Sequence, residues 1–261
     1  MTLMRPAPAY MIFRPMSRQN EERPKARFPT VLLALCAFGA ALFLCCGACG
    51  QSLDETQKKF LEGHYDEVIK ITHKKVEGEY VDGWRILLVK SLLTVGHYGE
   101  ARSNALAGLE DFPRSVQLRL LAREAALFQK DNAGANRQLE EIKYVIERGG
   151  RFEQSGDNLV ALGRALLLLG VEPRLALENC FQRAFDADPP SREAYLAAGQ
   201  LALDKHDYKL AADTYRAGLK KFPDDPDMDC GLAASFENGD RSEMLVSLEA
   251  ALAVNPHHIQ S

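Results

Sequence analysis

The six residues GHYDEV beginning at Gly63 return as GHYGEA at Gly96, 33 residues later. The same spacing continues along the chain. Val68, Ala101, Ala135, Leu177, Ala211 and Met244 follow one another at intervals of 33, 34, 42, 34 and 33 residues. Four residues after each stand Thr72, Ala105, Leu139, Phe181, Tyr215 and Leu248, and three further on Lys75, Gly108, Ile142, Ala184, Gly218 and Ala251. Pro113, Pro189, Pro223 and Pro256 come next in four of the units. A period held through six units marks an array of supersecondary units, each burying its apolar face on its neighbours.

Each unit reads as two helices. From Ser191 the chain runs SREAYLAAGQLALDKHDYKLAADTYRAGLKKFPDD. Tyr195, Ala198, Leu201 and Ala202 fall at helical spacing, as do Ala211, Ala212, Tyr215 and Leu219 after a break. That break, Lys205-His206-Asp207, is short and polar, which makes the two helices antiparallel. Pro223 ends the second helix because it cannot donate to the preceding turn. In the GHY stretches, Gly63 and Gly96 occupy the bend, and Tyr65 and Tyr98 begin the second helix. His64, His97 and His206 are read as solvated turn residues rather than metal ligands.

The residues carry a resemblance. Tyr195-x2-Ala198-Gly199-x2-Ala202, then Ala211-x3-Tyr215 and Pro223, resembles the tetratricopeptide repeat (TPR), whose pattern is W-x2-L-G-x2-Y, A-x3-F and P. Leu162-Gly163-x2-Leu166 and Leu232-Ala233-x2-Phe236 repeat its first half, and Trp84-x2-Leu87 approximates it. Several units carry Ala or Leu where the family prefers a large aromatic residue or Gly. The expectation is an all-α, TPR-like α-solenoid of about six helix-turn-helix units over 52–258. The units fall near 52–81, 82–115, 116–149, 154–190, 191–225 and 226–258, with 259–261 as a tail. Ser52-Leu53-Asp54-Glu55 fits an S-x-x-E capping box at the start of the first helix. Between the third and fourth units, the glycines, Ser155 and Asp157 of ERGGRFEQSGDN read as a longer loop, either a plain insertion or a point of flexing. After Asn255-Pro256-His257-His258 the chain reaches Ser261, where a further repeat or capping helix would begin. An uncovered last face is a surface for self-association or docking unless the final residues hide it. This ending reads as that of a sequence belonging to, or descended from, a longer one.

A different segment precedes the array. Net charge is -4, yet residues 1–27 carry Arg5, Arg14, Arg18, Arg23, Lys25 and Arg27 against Glu21 and Glu22, a balance of +4 that leaves -8 on the rest. The acidic body lacks the basic stripe that neutralises phosphates, so nucleic acid is excluded as a partner. From Phe28 to Leu53 there is no charged residue. Residues 31–49 would make a helix of about 28 Å, close to the roughly 30 Å of a bilayer's hydrocarbon. Residues 1–27 are expected to be a disordered cytoplasmic head, and 28–51 an apolar export or anchor helix with the repeats outside the cytoplasm. Three fates are open. The length of the run favours a retained transmembrane anchor. Small residues at Cys46-Gly47-Ala48 or Ala48-Cys49-Gly50 suit a cleaved signal, giving a periplasmic or secreted product. Gly47-Ala48-Cys49 resembles the end of a bacterial lipobox, with Cys46 in place of Leu, which makes Cys49 a lipidation candidate. Cys36, Cys45 and Cys46 serve as small hydrophobes in this run. Cys180 and Cys230 lie in the folded part outside any CxxC pairing, as free thiols or, alternatively, one disulfide.

No catalytic constellation is present: neither HExxH, GxxxxGK[ST], GxSxG nor an EF-hand loop occurs. The pairs Glu140-Glu141 and Asp224-Asp225 read as solvated polar faces or helix ends. His257-His258 offers two ligands where structural zinc takes four. No enzyme activity, cofactor or metal is therefore expected. The TPR resemblance implies a superhelix whose first helices line a concave groove that binds peptides or partner proteins. Groove candidates on first helices are Ile86, Lys90, Leu93, Leu120, Glu124, Leu127, Leu196, Gln200 and Leu203; the alternative is that the apolar members pack within their own helix pair. Glu124 and Gln200 stand where the family's carboxylate-binding groove would set companions to Lys90, so chaperone-tail recognition is not implied. Two functions remain open: a non-catalytic interaction scaffold of the cell envelope, or the substrate-recruiting accessory region of a longer envelope enzyme.

Overall fold

The computed structural model describes residues 51–148, 155–237 and 239–259, which belong to one compact unit, Gly50–Ser261. The basic head, the apolar run with Cys49, and residues 149–154 of the inter-unit loop lie outside the described residues. Among the described residues no helix is long and apolar enough to cross a membrane.

Twelve helices and no strand occur among the described residues. They are α1 (Leu53–Leu61), α2 (Tyr65–Gly78), α3 (Asp82–Thr94), α4 (Tyr98–Asp111), α5 (Val116–Phe128), α6 (Asn132–Glu147) and α7 (Gly156–Leu168). After these come α8 (173–185), α9 (Arg192–Asp204), α10 (Tyr208–Leu219), α11 (Pro226–Ala234) and α12 (Arg241–Val254). Successive helices pack in antiparallel pairs, giving the six units the period predicts. The capping box is formed: Ser52 Oγ accepts the Glu55 amide proton, and the Glu55 carboxylate accepts that of Ser52. Ser115, Asp131, Asp207, Asp225 and Asp240 cap later helices in the same way, each accepting a backbone N–H within the first turn. Ser155 caps α7 and Asp157 lies in its first turn, so both belong to a helix and not to the loop expected there.

The turns within units share one backbone device. Gly63, Gly96 and Gly170 adopt φ of 84°, 82° and 81°, the left-handed region in which a missing Cβ relieves the clash. Lys130 and His206 take that slot in other units at φ 60° and 59°. His206 therefore corresponds to Gly63 and Gly96, five residues before the first core slot of its unit as they are. His64 and His97 are exposed residues at the starts of α2 and α4.

The predicted register places Val68, Ala101, Ala135 and Ala211 in the core, and all four are buried. One turn later Thr72, Ala105, Phe181 and Tyr215 are buried as well. The fourth unit departs by one residue: Ala176, not Leu177, fills the first slot. A π-helical turn over Leu177–Phe181 absorbs the extra residue, so the step to Phe181 is five residues instead of four. Cys180 and Phe181 then press on Gly163, where an added Cβ would stand 2.4 Å from the Phe181 ring. In the sixth unit Ser247 and Ala251 are buried, whereas Met244 is half-buried. Apolar clusters run through the array, linking α3, α4 and α5, then α5, α6 and α7, then α7, α8 and α9, and finally α9, α10 and α11. Each fully buried Leu or Phe in them, such as Leu88, Leu92 or Phe181, contributes roughly 1.5–3 kcal/mol.

The array curls tightly enough for distant units to touch. The Asn255 side-chain amide donates to the Tyr65 hydroxyl at 2.8 Å, joining the segment after α12 to the first unit. That segment is thus engaged, while Leu245, Val246 and Leu252 leave the outer side of α12 exposed. Cys180 and Cys230 are free thiols.

Candidate functional site: the concave groove

The first helices of five units, α1, α3, α5, α7 and α9, wall a cavity of about 1270 Å³. Helical periodicity sorts their residues: in α5, Leu118, Leu121, Ala122 and Ala125 are buried in the stack, and Leu120, Glu124 and Leu127 turn to the cavity. Of the sequence candidates, Ile86, Lys90, Leu120, Glu124, Leu127 and Gln200 line it. Leu93 packs on the cluster around Leu88 and Leu92, and Leu196 and Leu203 on that around Tyr215 and Met228. These three take the alternative of packing between helices and do not line the cavity.

The centre of the groove is charged. Glu193, in the first turn of α9, accepts from Lys90 Nζ at 2.9 Å through one oxygen and pairs with Arg164 at 3.1 Å through the other. Its side chain is 14% exposed. Burial alone would raise the Glu193 pKa; Lys90, Arg164 and Arg192 outweigh burial and hold the carboxyl well below the usual range. Glu124 responds in the opposite sense: burial raises its pKa, and Arg164, Lys90 and Arg123 oppose the rise only in part. Arg123 lines the same cavity with a buried Nε that no hydrogen-bond acceptor meets.

Behind this centre lies a second ionic layer. Arg192 forks onto the Asp225 carboxylate, with Nε to one oxygen and Nη2 to the other at 2.9 Å, and also donates to Asp227. Asp225 is buried and accepts the amide protons of Asp227 and Met228, capping α11. The reading of Asp224-Asp225 as a solvated pair therefore fails for Asp225. His258 Nε2 lies 2.9 Å from the same Asp227. Burial works to raise the Asp227 pKa, but His258 and Arg192 pull it down to about 2. Contact with Asp227 and Cys230 raises the His258 pKa to about 9.

Sequence reasoning missed Arg123, Arg164, Arg192 and Glu193. For Arg164 a signal exists: it follows Gly163 as Gln200 follows Gly199, so unit-to-unit alignment sets it at a groove position. Glu193 and Lys90 are 103 residues apart, and no local pattern connects them. Among the described residues no group of three His, Cys, Asp or Glu side chains is placed to hold a metal ion.

No protein-family model and no curated sequence matches the chain. Solved structures do. TTC0263, a thermophilic TPR protein of Thermus thermophilus, superposes with a TM-score of 0.51 at 19% identity, over 70% of this chain and 96% of that one. The APC/C hetero-tetramer Cut9-Hcn1 gives 0.48 at 16% identity, over 75% of this chain but only 38% of the matched one. YrrB, described as a TPR protein with an unusual peptide-binding site, gives 0.38 at 20% identity, over 72% and 94%. The likeness to TTC0263 defines the fold as TPR-like and extends no further than the fold.

Proposed function

We propose that this chain is a non-catalytic scaffold of the cell envelope that binds a peptide or an exposed segment of a partner protein in its concave groove. The observation that carries the reading is the make-up of the groove. An apolar wall including Phe60, Ile86, Leu120 and Leu127 surrounds a charged centre of Lys90, Arg164, Glu124 and Glu193. A concave surface that offers apolar contact with a few convergent polar groups is the usual setting for ligand recognition. Apolar side chains of the partner would lie on the wall, and its polar groups would take their register from the centre. The envelope location rests on the sequence: a +4 head before an uncharged run long enough to span a bilayer.

Site-specific photo-crosslinking in native membranes tests this reading. A photoreactive amino acid is placed at Leu127 or Gln200 in the groove, and for comparison at Lys70 or Arg137, which are exposed on the second helices α2 and α6. A dominant adduct from the groove positions, absent from the outer ones, is the expected result. Equal adducts from both faces, or adducts from the outer face alone, would reject the groove as the binding site.

A further inference from the structure

Consecutive units are joined by extended helix packing: α2 lies along α3, α4 along α5 and α10 along α11, with the apolar clusters behind them. The meeting of the last unit with the first is of another kind. Among the described residues no helix of the first unit packs along a helix of the sixth. The join is polar, with Asn255 Nδ2 donating to the Tyr65 hydroxyl at 2.8 Å. Asn255 Oδ1 rests against Gly63 so closely that an added Cβ there would stand 2.3 Å from it. Halfway round the same curve, Lys90 of the second unit and Arg164 of the fourth grip Glu193 of the fifth across the groove.

Both contacts depend on the same curvature. If the array unwound slightly, Lys90 would part from Glu193 and Tyr65 from Asn255, while the interfaces between neighbours changed little. Lys90 and Glu193 also both line the cavity, so their bridge crosses the space that a partner segment would enter. On release Glu193 keeps Arg192 as a neighbour at 3.3 Å, so its charge is not stranded. We propose that the array is a latched ring: the Asn255–Tyr65 seam fastens its ends, the Lys90–Glu193–Arg164 bridge fastens its walls, and the two release together to admit the partner to the groove. The proposal rests on the groove reading above, but its test uses no partner.

The full chain, purified in detergent, is treated with a water-soluble carbodiimide, which joins a lysine amine to a carboxylate in contact with it. The yield of the Lys90–Glu193 adduct is measured by peptide mass spectrometry relative to that of Lys59–Glu67, a pair 2.7 Å apart within the first unit. The Tyr65→Phe variant removes the acceptor at the seam and leaves the ring edge-on to Phe60. It should lower the ratio at least threefold at unchanged helical content, and raise hydroxyl-radical oxidation of Ile86 and Leu120 at least twofold. Asn255→Ser breaks the seam from the other side and should do the same. Glu193→Gln should raise that oxidation with the seam residues intact. Absence of the adduct in the wild type, or an unchanged ratio in both seam variants, rules out the latch. Unchanged oxidation of the groove leucine and isoleucine in all three variants rules out the gate. Failure to find a partner by photo-crosslinking would leave these ratios as they are, which separates the two ideas.

Discussion

Arg192 is 11% exposed and has Asp225, Asp227 and Glu193 within ionic reach. A guanidinium withdrawn so far from water depends on its partners, because losing one leaves a buried charge uncompensated. Asp225, with a side chain 2% exposed, is the most deeply placed of them and also the α11 cap. Asp225→Ala should destabilise the protein by about 3–5 kcal/mol, read as a lower urea midpoint. Lys209→Ala, in a pair whose lysine is 89% exposed, should leave the urea midpoint unchanged, because solvent screens an ion pair on the surface. A midpoint shift as large for Lys209 as for Asp225 would mean that burial does not govern this network. The pair His258–Asp227 adds a dependence on pH. The His258 pKa in the fold, about 9, lies above its ordinary 6.5, so its contribution is complete below pH 6.5 and is lost as pH rises through 9. Asp227, lowered from 3.8 to about 2, contributes fully above pH 3.8 and loses that contribution as pH falls through 2. Melting temperatures should therefore decline between pH 6.5 and 9 in the wild type, and His258→Gln should flatten that decline. A parallel decline in the variant would assign it to other groups. None of this was legible locally. Asp224-Asp225 looks like any polar helix start, and the partner of Asp225 stands 33 residues upstream, one unit away.

Tyr215 of α10 shows how whole helices are fitted together. Its ring lies between Gly199 of α9 and Gly231 of α11; a Cβ added at either would stand 2.5 or 2.3 Å from ring carbons. Glycine inside a helix is disfavoured by about 1 kcal/mol relative to alanine, so its presence twice marks where helices approach closely. Gly199→Ala should lower stability by about 1–3 kcal/mol, since the ring has no free space to retreat into. Gly78→Ala, at the end of α2 with nothing within 4 Å of the added Cβ, should be neutral or gain about 0.4–1 kcal/mol. Equal effects at the two sites would show that packing around Tyr215 is looser than described. At this scale much of the fold was legible. A buried small residue at one spacing and a polar break at another are local demands of a helix hairpin, and six repetitions made them visible. What escaped were departures from the repeat. The π-helical turn at Leu177–Phe181 moves Ala176 into the slot that the period assigns to Leu177, because Phe181 must still meet Gly163. Three of the nine groove candidates, Leu93, Leu196 and Leu203, turned into the core because phase on a helix fixes a direction only once the neighbouring helix is known.

For the whole molecule, the repeats can read a partner only in the compartment where the chain delivers them. Among the described residues no helix is long and apolar enough to cross a bilayer; under the envelope proposal, attachment or export would be the task of the uncharged run ahead of them. Free Cys180 and Cys230 mean that the array needs no disulfide in either compartment. The charge distribution then makes a definite prediction. A basic flank stays on the cytoplasmic side and directs the chain beyond the apolar run across the membrane. Alkaline phosphatase, whose activity requires disulfides formed outside the cytoplasm, should be active when fused after Ser261. Replacing Arg14, Arg18, Arg23, Lys25 and Arg27 with Ala should lower that activity several-fold, with the amount of protein unchanged. Cys49→Ser then divides the three fates of the run: loss of a metabolically incorporated lipid label identifies a lipoprotein. Without such a label, the mass of the purified chain separates cleavage from a retained anchor. An inactive phosphatase fusion, paired with a fluorescent cytoplasmic reporter at the same junction, would place the repeats inside the cell. The groove reading would survive that outcome, because Lys90, Arg164 and Glu193 owe their arrangement to the curl of the array and not to the side of the membrane on which it folds.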